Sequence, residues 1–250
     1  MEVVITDHPE QVLADIITEV VREGATTLGL ATGSSPVPTY TELIRRHREE
    51  GLSFRGMQAV LLDEYVGLPP NHPEAYARFI RDNFTDHVDF DAVHSPDGMA
   101  ADAKGAAAEY DELIARLGPV DVQLLGIGSN GHIGFNEPSS SLTSRTRIKT
   151  LTEKTRRDNA RFFGGDLEQV PLHVVTQGLG TICEATHLAL VATGETKAEA
   201  IAAAVEGPLS ASCPASILQW HPRATVVLDP AAASRLRDIE YYRYAYTHKP

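Results

Sequence analysis

Short apolar runs alternate with amphipathic segments along most of the chain. Runs with little helical periodicity are typical of buried strands. They predict strands at residues 3–5, 26–31, 58–62, 120–126, 172–176, 187–192 and 224–228. Apolar residues at helical spacing, or polar segments that begin at a proline, predict helices between them. These helices are expected at residues 9–22, 39–50, 73–84, 100–117, 196–205 and around 214–219.

This alternation of strand and helix predicts one α/β domain over residues 1–250. Strands that are apolar throughout, each followed by a helix, indicate a doubly wound, mainly parallel sheet with helices on both faces. Residues 139–170 are the least regular part of the chain and are polar. We therefore expect a small flap, or lid, at about residues 140–176.

Four loops of this predicted fold follow strands on the same side of the sheet. Ligands of open α/β sheets bind beyond the carboxyl ends of the strands. The loops at residues 32–38, 63–70, 126–138 and 193–197 are therefore where the chemistry is expected.

Two of these loops have the character of phosphate sites. Gly33 permits a tight turn, and Ser34 and Ser35 offer hydroxyl and amide groups where a helix begins, which suits an anion. The loop at 193–197 also opens a helix and contains Lys197. Each loop alone fits an ordinary capped helix better, and it is the presence of two such loops at one edge of the sheet that favours a phosphate site. The P-loop pattern with its lysine is absent, so a nucleoside triphosphate site is not predicted.

The other two loops contain acid–base groups. Asp63 and Glu64 follow a predicted buried strand, where desolvation can turn a carboxylate into a general base, although loop acids and helix caps are common alternatives. The glycine-rich segment GIGSNGHIGFNEP, residues 126–138, contains His132 and Glu137, which could form a base and its orienting carboxylate. No helix follows it, because Pro138 breaks one, so a dinucleotide fingerprint is disfavoured.

Composition and charge narrow the function classes. The formal net charge of −12 argues against nonspecific binding of nucleic acid. Residues 139–161 nevertheless hold seven of the 22 lysines and arginines, which suits phosphate groups or a solvated helix face. The two cysteines show no paired framework, and the chain shows neither a signal peptide nor a membrane-spanning run. A cytoplasmic enzyme that does not bind membranes is expected.

Several motifs together resemble the glucosamine-6-phosphate deaminase (isomerase) family. They are LGLATGSSPVPTY, LDEYVGLPPNHPEAY, GIGSNGHIGFNEP, SSLTSRTRIKTL and TRRDNARFF, and the likeness runs across nearly the whole chain. The resemblance implies isomerisation and deamination of glucosamine 6-phosphate to fructose 6-phosphate and ammonia, without a metal or redox cofactor. This net reaction would class the enzyme as a hydrolase that acts on an amino sugar phosphate.

The resemblance also implies roles for individual residues. Asp63 resembles the base that moves the C2 proton, and His132 with Glu137 resembles the pair that opens the sugar ring. Asn130, where certain members have Asp, belongs to the same catalytic set. Gly33, Ser34, Ser35, Arg161 and Lys197 resemble the substrate phosphate site.

A second site is implied by the same resemblance. Ser140, Arg147, Lys149 and Thr150 resemble an allosteric site at which N-acetylglucosamine 6-phosphate activates some members. Those members are hexamers, so a homo-oligomer is compatible with the resemblance.

Two other functions fit parts of the pattern. A 6-phosphogluconolactonase would share the fold and the glycine–histidine loop, but that group tends to follow the histidine with a Leu-Phe-Pro stretch. A sugar-phosphate-sensing module would keep the phosphate loops and lose the acid–base set. The C-terminal tyrosines Tyr241, Tyr242 and Tyr244 fit either a subunit contact or an edge strand.

Overall fold

A computed structural model describes residues 1–249 and places a seven-stranded sheet at the centre of the protein. Its strands, in spatial order β1-β10-β9-β6-β2-β3-β5, are all parallel. The strands are β1 (Glu2–Ile5), β2 (Thr27–Leu30), β3 (Gln58–Leu61), β5 (Ala92–His94), β6 (Val122–Leu125), β9 (Leu188–Ala192) and β10 (Ala224–Leu228). The predicted doubly wound α/β fold with helices on both faces is confirmed.

The helices are α1 (Pro9–Arg22), α2 (Val37–Glu50), α3 (Tyr76–Asn83), α4 (Ala103–Leu117), α5 (Glu153–Ala160), α6 (Leu179–Ile182), α7 (Ala198–Val205) and α8 (Ile239–Thr247). Short 3-10 turns lie at Thr85–His87, Leu167–Gln169, Glu195–Lys197 and Pro214–Gln219. The predicted helices at 9–22, 39–50, 73–84, 100–117 and 196–205 are present, all but the first with shifted ends, the one around 214–219 is a 3-10 turn, and α5, α6 and α8 were not predicted. None of the helices in residues 1–249 has the length and apolar character needed to cross a membrane.

The central strands are buried along their whole length, which explains their continuous apolar sequences. Every residue of β6, β9 and β10 is buried. The strands β9, β6, β2 and β3 are consecutive in the sheet. Because they are parallel, the four loops that follow their carboxyl ends share one edge, as the sequence predicts.

A second sheet of three antiparallel strands stands beside this edge, and the sequence did not predict it. It consists of β4 (Asp63–Tyr65), β8 (His173–Thr176) and β7 (Arg147–Thr150), in the order β4-β8-β7. Asp63 pairs with Thr176, so the segment expected to be a loop is a strand. Leu62 is thus the single residue between β3 and the strand that carries Asp63.

The irregular stretch at residues 140–176 contains β7, α5, a 3-10 turn and β8. A small apolar cluster, separate from the main core, lies beneath it. Its members are Tyr65, Phe135, Leu151, Ala160, Phe163, Val170 and Val174. That this stretch moves as a lid stays a prediction.

The C-terminal tyrosines lie on α8, which packs against β1. The edge strand considered for this segment is therefore wrong. Tyr241 and Tyr244 remain largely exposed on the helix surface.

Candidate active site

A cavity of about 660 Å³ opens at the carboxyl edge of the parallel sheet. All four predicted loops contribute to it. Asp63, His132, Arg161 and Lys197 line this cavity together with Gly33, Ser34 and Ser35. The structure therefore brings the predicted base, the imidazole predicted to open the ring and the residues predicted to bind phosphate to one site.

Asp63 is a buried carboxyl group at the floor of the cavity, with 4% of its surface exposed. Among the described residues its carboxylate has no hydrogen-bond partner. Burial, helped by the neighbouring charge of Glu64, raises the pKa of Asp63 to about 8. A carboxylate without a fixed partner and with a raised pKa is suited to accept and return a proton.

Glu64, the next residue, has a structural task. Adjacent residues of a strand point to opposite sides, so Glu64 faces away from Asp63. Its Oε1 accepts hydrogen bonds from the backbone amides of Tyr65 and Tyr76 at 2.8 and 3.0 Å, and its Oε2 accepts one from Ala77 at 2.8 Å. These contacts cap the start of α3, so the capping alternative applies to Glu64.

His132 lies over a glycine of its own loop. A Cβ atom at Gly128 would stand 2.3 Å from both Cε1 and Nε2 of the imidazole, so no other residue fits there without moving the ring. Gly131 turns the chain with a φ of 83°, a conformation that favours glycine. The glycines of this loop thus serve the placement of His132.

Glu137 stands behind His132 and is almost fully buried. Its Oε2 lies 3.5 Å from Nδ1 of His132 and accepts a hydrogen bond from the Asn130 amide at 2.6 Å. Its Oε1 accepts one from the Thr155 hydroxyl at 2.5 Å. Burial alone would raise the pKa of Glu137, but contacts with His132, Thr155 and Asn130 outweigh it and lower the pKa to about 2. The ionised carboxylate therefore faces Nδ1 of His132, which has no hydrogen-bond partner among the described residues.

Asn130 links the two ends of this arrangement. Its side-chain amide donates to Glu137, and its Oδ1 accepts from the backbone amide of His132 at 3.2 Å. An amide at this position donates to Glu137, whereas a second carboxylate would repel it. Asn130 itself does not reach the cavity wall.

The other end of the cavity is cationic. The ammonium of Lys197 donates to the carbonyl of Ile127 at 2.6 Å, and burial followed by the charge of Arg161 lowers its pKa. The guanidinium of Arg161 stacks over the exposed ring of Phe162, 4.6 Å from its centroid. Gly33 adopts a φ of 103°, which turns the loop that presents Ser34 and Ser35. Two cations and two hydroxyls suit a phosphate group.

The basic residues at 139–161 divide between this cavity and structural contacts. Arg157 and Arg161 line the cavity. Arg145 pairs with Asp111 and Glu184, and Arg156 donates to the backbone carbonyls of Leu167 and Val170. The solvated or structural alternative therefore applies to part of this cluster.

The four residues of the implied effector site lie outside the cavity lining. Arg147 donates to Oδ1 of Asn136 at 2.9 Å, and the hydroxyl of Thr150 lies 3.3 Å from Nδ1 of His173. Ser140 is buried, and its hydroxyl has no partner among the described residues. Lys149 lies two residues from Arg147 on β7, so both point to the same side of that strand.

Sequence reasoning missed the aromatic wall and Thr155. Tyr65, Tyr76 and Phe135 line the cavity, and the rings of Tyr76 and Phe135 stack 5.9 Å apart. Thr152, followed by Glu153, could have been noticed as the N-cap of a helix, but no sequence pattern marks Thr155. The contact of Thr155 with Glu137, 18 positions away, has no local signal.

Comparison with known proteins identifies the family to which the chain belongs. The model of the family described as glucosamine-6-phosphate isomerases/6-phosphogluconolactonase matches residues 2–227. The chain belongs to this family. A glucosamine-6-phosphate deaminase of Rhodococcus opacus (strain B4) is 61% identical over 255 residues, covering 100% of this chain and 98% of that protein. The corresponding enzyme of Streptomyces coelicolor is 54% identical over 256 residues, with 100% and 98% covered.

Solved structures give the same assignment. A monomeric glucosamine-6-phosphate deaminase is 41% identical, superposes with a TM-score of 0.90, and is matched over 94% of this chain and 100% of its own. A 6-phosphogluconolactonase from Trypanosoma cruzi shares 19% identity with a TM-score of 0.75, over 94% of this chain and 97% of its own. The second likeness shows the shared fold only.

Proposed function

We propose that this family member converts glucosamine 6-phosphate and water into fructose 6-phosphate and ammonia. The observation that carries the proposal is the meeting of Asp63 and the His132–Glu137 pair at one cavity with a cationic end. Because water supplies the new C2 oxygen and the C2–nitrogen bond breaks, the net reaction is a hydrolysis. The deaminase names of the full-length relatives support the substrate.

In this proposal the phosphate binds at the cationic end of the cavity. Lys197 and Arg161 supply charge, and the loop of Gly33, Ser34 and Ser35 supplies hydroxyl and amide donors. Binding of the phosphate at a fixed point orients the sugar, so that its reacting carbons lie over Asp63. Tyr76 and Phe135 provide an apolar wall that limits water around Asp63.

Ring opening is assigned to His132. With its Nδ1 directed at the ionised Glu137, the imidazole can relay a proton through Nε2 from the anomeric hydroxyl to the ring oxygen. The carbon–oxygen bond of the ring breaks and an aldehyde forms at C1. Glu137 stabilises the positive charge that appears on the imidazole during the transfer.

Isomerisation is assigned to Asp63. Its carboxylate removes the proton at C2 while the substrate ammonium gives a proton to O1, which leaves an enolamine, and Asp63 then returns its proton to C1. The resulting imine at C2 adds water and releases ammonia, and fructose 6-phosphate remains. The cationic amino group of the bound substrate would lower the raised pKa of Asp63 and favour the ionised base.

The deciding experiment measures ammonia release from glucosamine 6-phosphate and, in parallel, hydrolysis of 6-phosphogluconolactone. Ammonia release with little lactone hydrolysis is expected. Lactone hydrolysis without ammonia would identify the lactonase alternative, and sugar-phosphate binding without either turnover would identify a sensing module. Either of the last two results would contradict the deaminase proposal.

The lid at about residues 140–176 is part of the proposal. Its helix α5 and the following residues contribute Asn159, Arg161 and Phe162 to the cavity, and Phe162 is half exposed. A phosphate that draws in Arg161 would bring this segment over the sugar. Amide hydrogen exchange of residues 153–163 should slow when a substrate analogue binds; unchanged exchange would contradict closure.

An effector site at Ser140, Arg147, Lys149 and Thr150 for N-acetylglucosamine 6-phosphate is proposed as well. Arg147 contacts Asn136, the neighbour of Glu137, so a ligand there would act close to the ring-opening pair. Homo-oligomer formation, as in the allosteric hexamers, is proposed only together with this site.

The protein is proposed to act in the cytoplasm, since both cysteines are free thiols.

Lys149→Ala tests the effector site. Among the described residues the Lys149 ammonium makes no ion pair or side-chain hydrogen bond, so its removal should leave the basal rate of ammonia release within about two-fold. Activation by the acetylated sugar phosphate should be lost, since one phosphate contact is removed. Rate curves with and without activator check this. An unactivated wild type would contradict the site, and so would an equally activated variant.

A further inference from the structure

We propose that Thr155, on the lid helix α5, is a positioning residue that holds Glu137 in the orientation needed for ring opening. The inference rests on the proposed function, because it assigns Thr155 a part in the step carried out by His132. It concerns the half of the Glu137 carboxylate that the imidazole does not face.

The two oxygens of Glu137 have separate partners. Oε2 is shared by the Asn130 amide and the imidazole of His132. Oε1 accepts one side-chain hydrogen bond among the described residues, from the hydroxyl of Thr155 at 2.5 Å. His132 is the titratable group that faces Glu137 from the glycine loop, whereas Thr155 and Asn130 are neutral donors. Without Thr155, one oxygen of a buried carboxylate would lack a donor, and only the contacts of Oε2 would fix the orientation of the group.

The hydroxyl of Thr155 is not needed to begin the helix. Thr152 is the N-cap of α5, and its Oγ1 accepts from the backbone amide of Thr155 at 3.1 Å. That bond uses the backbone of Thr155 and leaves its side chain free. The Thr152 hydroxyl lies 2.9 Å from the Thr155 hydroxyl and can donate to it, while Thr155 donates to Glu137. With the bonds in this direction, Oε1 of Glu137 accepts one hydrogen bond from the Thr155 hydroxyl.

The same helix also connects the site to the phosphate end. Asn159, one turn after Thr155, donates to the hydroxyl of Tyr65 at 2.8 Å, beside Asp63 on β4. Arg161 follows α5 and lines the cationic end of the cavity. Thr155 and Arg161 lie six residues apart, roughly 9 Å along a helix axis. Thr155 already contacts Glu137 in this structure, so a phosphate bound at the other end of α5 would hold that contact in place.

Thr155→Val tests this role, because valine keeps the shape and removes the hydroxyl. Ammonia release should show kcat lowered about ten-fold, as expected for one charge-assisted hydrogen bond, with KM within two-fold. Affinity for the open-chain probe 2-amino-2-deoxyglucitol 6-phosphate should be unchanged, because that probe needs no ring opening. Thr155→Ser, which keeps the hydroxyl, should recover kcat to within about three-fold of the wild type.

The outcomes separate the two levels of the proposal. A wild type that releases no ammonia would overturn the proposed function and this inference with it. An active wild type whose kcat equals that of Thr155→Val would overturn the role of Thr155 alone. Equal losses in the Val and Ser variants, or a weakened Kd for the open-chain probe, would show a packing role instead. Should thermal unfolding show that the Val variant does not fold, Thr155→Ala, which also removes the hydroxyl, replaces it with the same expectations.

Discussion

Asp63 and Glu137 are both buried carboxyl groups at one cavity, yet their surroundings have opposite effects. Glu137 has donors on each oxygen and an imidazole beside it, and its pKa falls to about 2. Asp63 has no such partners, and its pKa rises to about 8. Burial raises the pKa of both groups, and the difference comes from the hydrogen bonds and imidazole at Glu137 and from the Glu64 charge beside Asp63. A partnered carboxylate can orient a neighbour, whereas an unpartnered one can exchange a proton.

The largest effect is expected from Asp63→Asn, which removes the proton acceptor and keeps the shape. Turnover should fall about a thousand-fold or more, within the range of a lost general base. Exchange of the C2 proton with solvent, followed by NMR in heavy water, should disappear as well. Retained exchange would show that another group moves this proton.

Glu137→Gln should cost less, about a hundred-fold in kcat. Glutamine keeps the side-chain length but lacks the charge that stabilises the imidazole as it takes a proton. Steady-state ammonia release measures the change. Asn130→Ala serves as the comparison, since it removes a neutral donor to the same carboxylate and should lose less. A Glu137→Gln variant with wild-type kcat would contradict the orienting role.

The smallest effect is one of stability. A carboxyl group whose pKa is about 8 in the folded protein and 3.8 in its ordinary state favours the folded protein while protonated. The free energy of unfolding therefore falls as the pH rises from about 4 to 8, because the unfolded chain ionises more readily. Asp63→Asn removes this penalty. Its melting temperature should exceed that of the wild type by about 5 °C at pH 8 and by much less at pH 4.

The same variant thus loses activity and gains stability. Thermal unfolding at both pH values checks the second half. Glu137→Gln provides the opposite control, because a group with a lowered pKa contributes stability above its ordinary pKa. Glu137→Gln should therefore lower the melting temperature at pH 8. If the melting temperatures of Asp63→Asn and the wild type differ by the same amount at pH 4 and pH 8, the raised pKa of Asp63 is contradicted.

The parallel sheet and the meeting of its loops could be predicted, because each buried strand is continuously apolar and each loop follows a strand. The second sheet could not. Its strand β7 has the sequence RIKT with alternating exposure, and β4 has three residues, two of them acidic. Helix α5 escaped detection because only Thr155 and Ala160 are buried on it, so it lacks an apolar periodicity.

Within the site, residue types were predictable and their surroundings were not. The motifs identify Asp63 and Glu64 as a pair, but only the backbone amides of α3 show that Glu64 is a cap. Likewise the pairing of His132 with Glu137 is local in sequence. The donor on Oε1 comes from a different element and depends on the folding of residues 139–170.

The short connection between β3 and β4 has a consequence for how this chain can vary in length. Leu61 is the last residue of β3 in the parallel sheet, and Asp63 is the first residue of β4 in the antiparallel sheet. Side chains alternate along a strand, so one extra residue at this junction would turn Asp63 toward α3 and Glu64 toward the sugar. Most surface turns tolerate a one-residue insertion. At this junction it would exchange the positions of the proposed base and of the residue that caps α3. The number of residues after the buried Leu62 thus decides which carboxylate can act as the proposed base.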